Sequence, residues 1–121
     1  MSVFQHAVEI GNPDGTRFLE VQAWVDSGAN YSQLPAALLR RLGFTPTATR
    51  RFRLADGCTV ELGLCQVPIR LNGEVWLTPV VFGENDSDLL LGAVALETFS
   101  LGIDPVNQTL VPIEAKALGI S

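Results

Sequence analysis

The sequence predicts an all-β domain carrying two short helices, and three observations point there. The apolar runs are short, mostly strand-like and divided by turn signals. Two of the dividers, Asp56-Gly57 and Asn72-Gly73, are hairpin dipeptides. A clear helical face appears at Leu38, Leu39 and Leu42, between Pro35 and Gly43.

Taken in order, Val3 to Ile10 is a short apolar-rich strand, and Gly11-Asn12-Pro13-Asp14-Gly15 is a dense turn signal. Phe18, Val21, Ala23, Trp24 and Val25 mark the returning strand of an N-terminal hairpin. The loop Asp26-Ser27-Gly28-Ala29-Asn30 follows. Tyr31 to Leu34 is extended, because a residue before proline avoids the helical region. Pro35 suits the first helical position, where its missing N–H costs nothing. Arg40 and Arg41 point away from the leucine face. Gly43 ends the helix in a left-handed turn, with Phe44 folding back on it.

Arg51 to Leu54 and Thr59 to Leu64 flank Asp56-Gly57, while Val67 to Leu71 and Val75 to Phe82 flank Asn72-Gly73. Both dipeptides are expected in two-residue turns with positive φ at both positions. Leu89-Leu90-Leu91 reads as a fully buried strand ended by Gly92, and Ala93 to Phe99 as the second helix. Leu101 to Ile103, a turn at Asp104-Pro105, and Thr109 to Pro112 supply two closing strands. Ile113 to Ser121 is weakly patterned.

The 121 residues fit one domain, 1–121, with no linker or repeat. A 47% hydrophobic content suits a folded core and not disorder. Thirteen acidic against eight basic residues give a net charge of -5, which argues against a nucleic-acid partner. No apolar run is long enough for a membrane span, and Met1 to Ile10 lacks the pattern of a signal peptide. Cys58 and Cys65 form no disulfide framework; two free thiols in a reducing, cytoplasmic setting is the simplest reading. One histidine and two cysteines leave little for a zinc site, so no metal or cofactor is expected.

The residues that ask for a chemical explanation are Ala23-Trp24-Val25-Asp26-Ser27-Gly28-Ala29, an apolar strand running into an acid, a hydroxyl and a glycine. By itself Asp-Ser-Gly is an ordinary turn. Its company changes the reading. A proline-initiated helix follows, then a Gly-tipped hairpin, then Leu90-Leu91-Gly92 before a second helix, then Ile103-Asp104 and Leu110-Val111-Pro112. In that order, from about Val21 to Pro112, the set resembles the retropepsin-like aspartic proteases, most closely the single-domain prokaryotic type.

The resemblance implies a closed barrel of the acid protease fold, one lobe per chain, and an aspartic endopeptidase acting on protein or peptide substrates. Such enzymes use two aspartates that share one proton and activate a water, because carboxylates about 3 Å apart cannot both ionise readily. Only one Asp-[Ser/Thr]-Gly is present; Asp86-Ser87-Asp88 lacks the glycine and reads as a strand-entry turn. The resemblance therefore implies a homodimer with Asp26 from each subunit on the two-fold axis.

It also implies roles for individual residues. Asp26 is the catalytic acid/base, and Ser27 grips the partner loop. Gly28 lets the loop approach its neighbour and the substrate, and Ala29 lines a subsite. Leu90, Leu91 and Gly92 support the loop from beneath. Asp56 and Gly57 tip a flap that closes over substrate. Arg50, Arg51 and Arg53 at its base read as a solvated face. Viral relatives carry an acid after the Asp-Thr-Gly-Ala run and an arginine after the later glycine. Here Asn30 and Ala93 stand there, so the bracing ion pair is absent without leaving a buried charge unpaired.

Two alternatives stay open at this level: a catalytically silent interaction or dimerisation module of the same fold, and a small β domain whose Asp-Ser-Gly is only a turn. His6 is set aside for want of a nucleophile motif near it. Trp24 and Trp76 read as core or interface fillers.

Overall fold

The computed structural model describes residues 4–114. Phe4–Gly11 (β1) and Phe18–Val25 (β2) pair antiparallel in full register, from Phe4 opposite Val25 to Gly11 opposite Phe18. Asn12 closes the connecting turn, its Oδ1 accepting the N–H groups of Thr16 and Arg17 at 2.9 and 3.0 Å. Ser32–Pro35 (β3) leads into the helix Ala36–Leu42 (α1). Pro35 ends the strand and caps the helix rather than opening its first turn, with ψ at 136°. Asn85 accepts the Ala37 N–H at 2.9 Å and so satisfies one free donor of that end. Gly43 has φ 108°, and the Phe44 N–H reaches back to the Leu39 carbonyl at 3.0 Å. This is the left-handed stop the sequence predicts, and Phe44 is buried.

Ala48–Arg53 (β4), Thr59–Leu71 (β5) and Glu74–Gly83 (β6) follow. The two runs expected at 59–64 and 67–71 are one strand. Leu64 pairs with both Ala48 and Val81, so β5 passes from one partner to the other without a break. The two hairpin turns also differ. Asn72 and Gly73 have φ 51° and 81°, the expected two-residue turn. At the other, only Gly57 is positive, with φ 89°. There Leu54 and Cys58 close a three-residue loop, the Leu54 N–H bonding the Cys58 carbonyl at 2.7 Å. Asp56 Oδ1 accepts the Cys58 N–H at 2.9 Å, a local bond that needs no left-handed aspartate.

Leu90–Leu91 (β7), Ala93–Thr98 (α2), Leu101–Asp104 (β8) and Thr109–Pro112 (β9) complete the described chain. The strand expected at 89–91 is shorter and not fully buried: Leu91 is 1% exposed, whereas Leu89 and Leu90 are half-buried. Residues on successive positions of a strand face opposite ways: Leu91 lies in the core, Leu89 packs against its edge, and Leu90 faces away from them. The last turn runs past Pro105 to Gln108. Asp104 organises it by accepting the Val106 and Asn107 N–H groups and the Asn107 amide. Those bonds, the Asn107 side chain first, hold the Asp104 carboxyl below the usual range. The expectation for the tail beyond Glu114 lies outside the described residues.

The pairing order β1-β2-β7-β3-β6-β5 returns to β1, so six strands close into a barrel, with β4 attached outside on β5. The closing seam is narrow, Glu9 opposite Arg70 and Ile10 opposite Ile69. An Arg70–Glu9 ion pair of 3.2 Å crosses it, and the guanidinium lies 3.9 Å from the Phe18 ring centre. Inside, Ile10, Val25, Leu39, Ile69, Val80 and Leu91 are fully buried. Each contributes about 1.5–3 kcal/mol on burial. Trp76 is no core filler: it is 49% exposed, and its indole N–H donates to Glu74 at 2.7 Å. Cys58 is exposed, Cys65 is buried, and both are free. No helix among the described residues is long and apolar enough to cross a membrane.

Candidate active site

β2 delivers Asp26 to the mouth of the barrel. Its N–H bonds the Leu91 carbonyl at 3.0 Å and extends the parallel β2–β7 ladder by one rung. The carboxylate is fixed locally, Oδ1 accepting the Gly28 N–H at 2.9 Å. Oδ2 accepts no hydrogen bond from the described residues. Ser27 and Gly28 are exposed, and Asp26 is half-exposed.

The loop is pinned from below. The N–H groups of Ala93 and Val94, free donors at the start of α2, bond the carbonyls of Ala29 and Asn30 at 2.8 and 2.9 Å. Gly92 donates to the Oγ of Ser32 at 3.1 Å, and Ser32 is buried. A Cβ on Gly92 would stand 2.6 Å from the Tyr31 carbonyl carbon and oxygen and 2.9 Å from the Ala29 oxygen. All three atoms are backbone, so glycine is required here for space. The loop and the start of α2 are thus tied by main-chain bonds, Ala93 to Ala29 and Val94 to Asn30.

Facing this loop is the ribbon formed by β4 and the first half of β5. It is two strands wide and mostly exposed. Its base is gripped by Pro46 and Thr47. The Thr47 N–H bonds the Leu64 carbonyl at 3.0 Å, and a Cβ on Gly63 would stand 2.7 Å from Pro46. Between loop and ribbon lies a groove of about 570 Å³. Gly28, Ala29 and Leu90 form its floor, and Phe52, Leu54 and Leu62 belong to its roof. Tyr31 meets Phe52 edge-on, with ring centres 6.0 Å apart.

Asp26, Ser27, Gly28, Ala29, Leu90, Leu91 and Gly92 are therefore brought together as one packed unit. Asp56 and Gly57 are not part of it; they stand exposed at the ribbon's tip, beyond the groove wall. Leu90, which pairs with Trp24 and Gln33, faces the groove. Arg50, Arg51 and Arg53 are exposed, as a solvated face should be, but they also border the groove. Tyr31, Phe52, Leu54 and Leu62 were not singled out from sequence. Strand alternation through 50–54 could have placed Arg50, Phe52 and Leu54 on one face.

A closed barrel with an aspartate loop at its mouth, facing a two-stranded ribbon, is the architecture of a retropepsin-like aspartic protease lobe. The comparisons agree. Residues 8–95 match the aspartyl protease family, and the chain belongs to it. No curated protein matches it in sequence. Among solved structures it is similar to the simian foamy virus (mac) protease, with TM-score 0.56, 20% identity, and 78% of this chain and 92% of that one covered. The EIAV protease bound to the inhibitor HBY-793 matches with TM-score 0.59 and 21% identity over 78% and 86%. A retropepsin-like aspartic protease from Rickettsia conorii matches with TM-score 0.55 and 24% identity over 85% and 88%. At these identities the likeness establishes the fold.

Proposed function

We propose that the protein is an aspartic endopeptidase that works as a homodimer, with Asp26 of each subunit forming the catalytic pair. The observation that carries this reading is the state of the Asp26 loop. The carboxylate is oriented by the Gly28 N–H and anchored through Leu91, yet Asp26 and Ser27 remain open to a partner. Two such loops meeting on a two-fold axis bring the carboxylates into one proton-sharing pair.

In the reaction, the ionised carboxylate takes a proton from water as the water oxygen attacks the peptide carbonyl carbon. The protonated carboxylate gives its proton to the carbonyl oxygen, leaving a neutral tetrahedral diol. Proton transfer to the nitrogen then lets the C–N bond break, giving a carboxylic acid and an amine. Ser27 grips the partner loop, the Gly28 backbone contacts the peptide, and Ala29 borders it. The hairpin tipped by Asp56 and Gly57 closes over the peptide and excludes water. No cofactor is needed.

The test is cleavage of a diverse peptide library from about pH 4 to pH 7, the range suited to a shared-proton pair, with wild type beside Asp26→Asn. Cleavage by wild type and none by a folded variant is expected. Cleavage by both would remove Asp26 from the chemistry. Cleavage by neither, with a dimer in solution, would favour the silent interaction module.

A further inference from the structure

We infer that Arg50 makes this cleft selective for peptides that carry an acidic side chain beyond an apolar one. The inference rests on the proteolytic reading above and adds a substrate class to it. Cross-strand partners share a face, so the pairs Arg50–Leu62 and Phe52–Val60 place Arg50 on the same face as Phe52 and Leu62. Phe52 meets Tyr31 across the groove, which identifies that face as the inner one. Arg51 lies on the other face, opposite Glu61.

Arg50 stands where two cavities meet. It borders the main groove and a second hollow of about 200 Å³, and Tyr31 borders both. Neither is lined by a carboxylate among the described residues. The one ion pair among those residues is Arg70–Glu9, on the far side of the barrel. On that inner face the other groove-lining residues are apolar, Phe52, Leu54 and Leu62, while Arg51 and Arg53 reach the groove's rim from the outer face. A peptide held there meets hydrocarbon nearer the tip and a guanidinium nearer the base. The guanidinium is always charged and forks onto a carboxylate. The chain as a whole carries -5, so overall charge would repel an acidic peptide. Preference for one must come from this local site.

The experiment compares matched peptides, each with an apolar residue at the cleaved bond and either Glu or Gln further along, scanned over positions. For wild type at low salt, one position should favour Glu over Gln in kcat/KM by roughly two- to fivefold, the range of an exposed ion pair. Arg50→Ala should bring that ratio to about one, and Arg50→Glu should reverse it in favour of Gln. The preference should shrink with salt and fade below about pH 4, where glutamate takes up a proton. Equal cleavage of Glu and Gln peptides by wild type overturns the inference and leaves the protease standing. If no peptide is cleaved, binding of the same peptides to Asp26→Asn and to its Arg50→Ala double variant decides. A Glu preference abolished by Arg50→Ala supports the site while the proteolytic reading falls; no Glu preference overturns it.

Discussion

The floor and the roof of the cleft are built in opposite ways. The floor loop at 26–30 is locked by main-chain bonds from Leu91, Ala93 and Val94, over a glycine whose space is filled by Tyr31 and Ala29. The roof is a ribbon two strands wide, held at its base by Pro46 and Thr47 and exposed at its tip. Two-stranded ribbons are marginal on their own, whereas a loop tied by main-chain bonds to a strand and a helix start opens less readily. The contrast suits a site whose acid must be held still while its cover moves. Damage to the floor should therefore cost folding, and damage to the roof should cost turnover.

The largest effect is expected at the floor. Gly92→Ala forces a methyl group against backbone that cannot rotate away. It should destabilise the fold by about 3 kcal/mol, lowering Tm by on the order of 10 °C in calorimetry. A variant that melts like wild type would break the claim that the loop is locked. On the roof, Phe52→Ala removes the ring that faces Tyr31. It should lower kcat/KM on apolar peptides about tenfold, with a much smaller change in Tm than at Gly92.

A matched pair sharpens the comparison. Gly57 and Gly73 both have positive φ, 89° and 81°, and a Cβ on either meets nothing within 4 Å. Alanine at each should cost about 1 kcal/mol of backbone strain. Gly73→Ala should show that cost as lost global stability, because its hairpin belongs to the barrel. Gly57→Ala should leave Tm nearly unchanged and slow cleavage severalfold, because its strain falls on the flap alone. Equal Tm losses would mean the ribbon folds as part of the barrel.

The smallest effect lies at Asp104. Its carboxyl is held below the usual range by the Asn107 side chain and by main-chain N–H groups. A depressed native value means that the stabilisation is present above the unfolded value of about 3.9. It is lost as pH falls through the depressed native value. Asp104→Ala should lower Tm slightly at neutral pH, where that stabilisation is present, and flatten the acid limb of the melting curve, with cleavage unchanged.

The sequence was most legible where residue type leaves little choice. Pro35 and Gly43 bracket α1, Asn72-Gly73 makes its two-residue turn, and Asp26-Ser27-Gly28 meets Leu90-Leu91-Gly92. It was least legible where partners decide. Asp-Gly fits two turn geometries, and the bond from Asp56 to the Cys58 N–H selects the longer one. Nothing local shows that β5 runs unbroken through Cys65 and Gln66, because its continuity comes from β4 and β6 changing over at Leu64. Arg50, Arg51 and Arg53 look like a solvated edge until the ribbon is folded over the loop. Only then do they border a groove. Leu90 reads as core from its neighbours, yet the pleat turns it toward the cleft.

The central claim is that each chain holds half of a catalytic site. The most direct test mixes wild type with a rising excess of Asp26→Asn, allows subunits to exchange, and follows cleavage of one peptide. The account predicts that activity falls with the fraction of wild-type homodimer and nearly vanishes at large excess. Activity that stays constant per wild-type chain would mean that one chain suffices, and would contradict it.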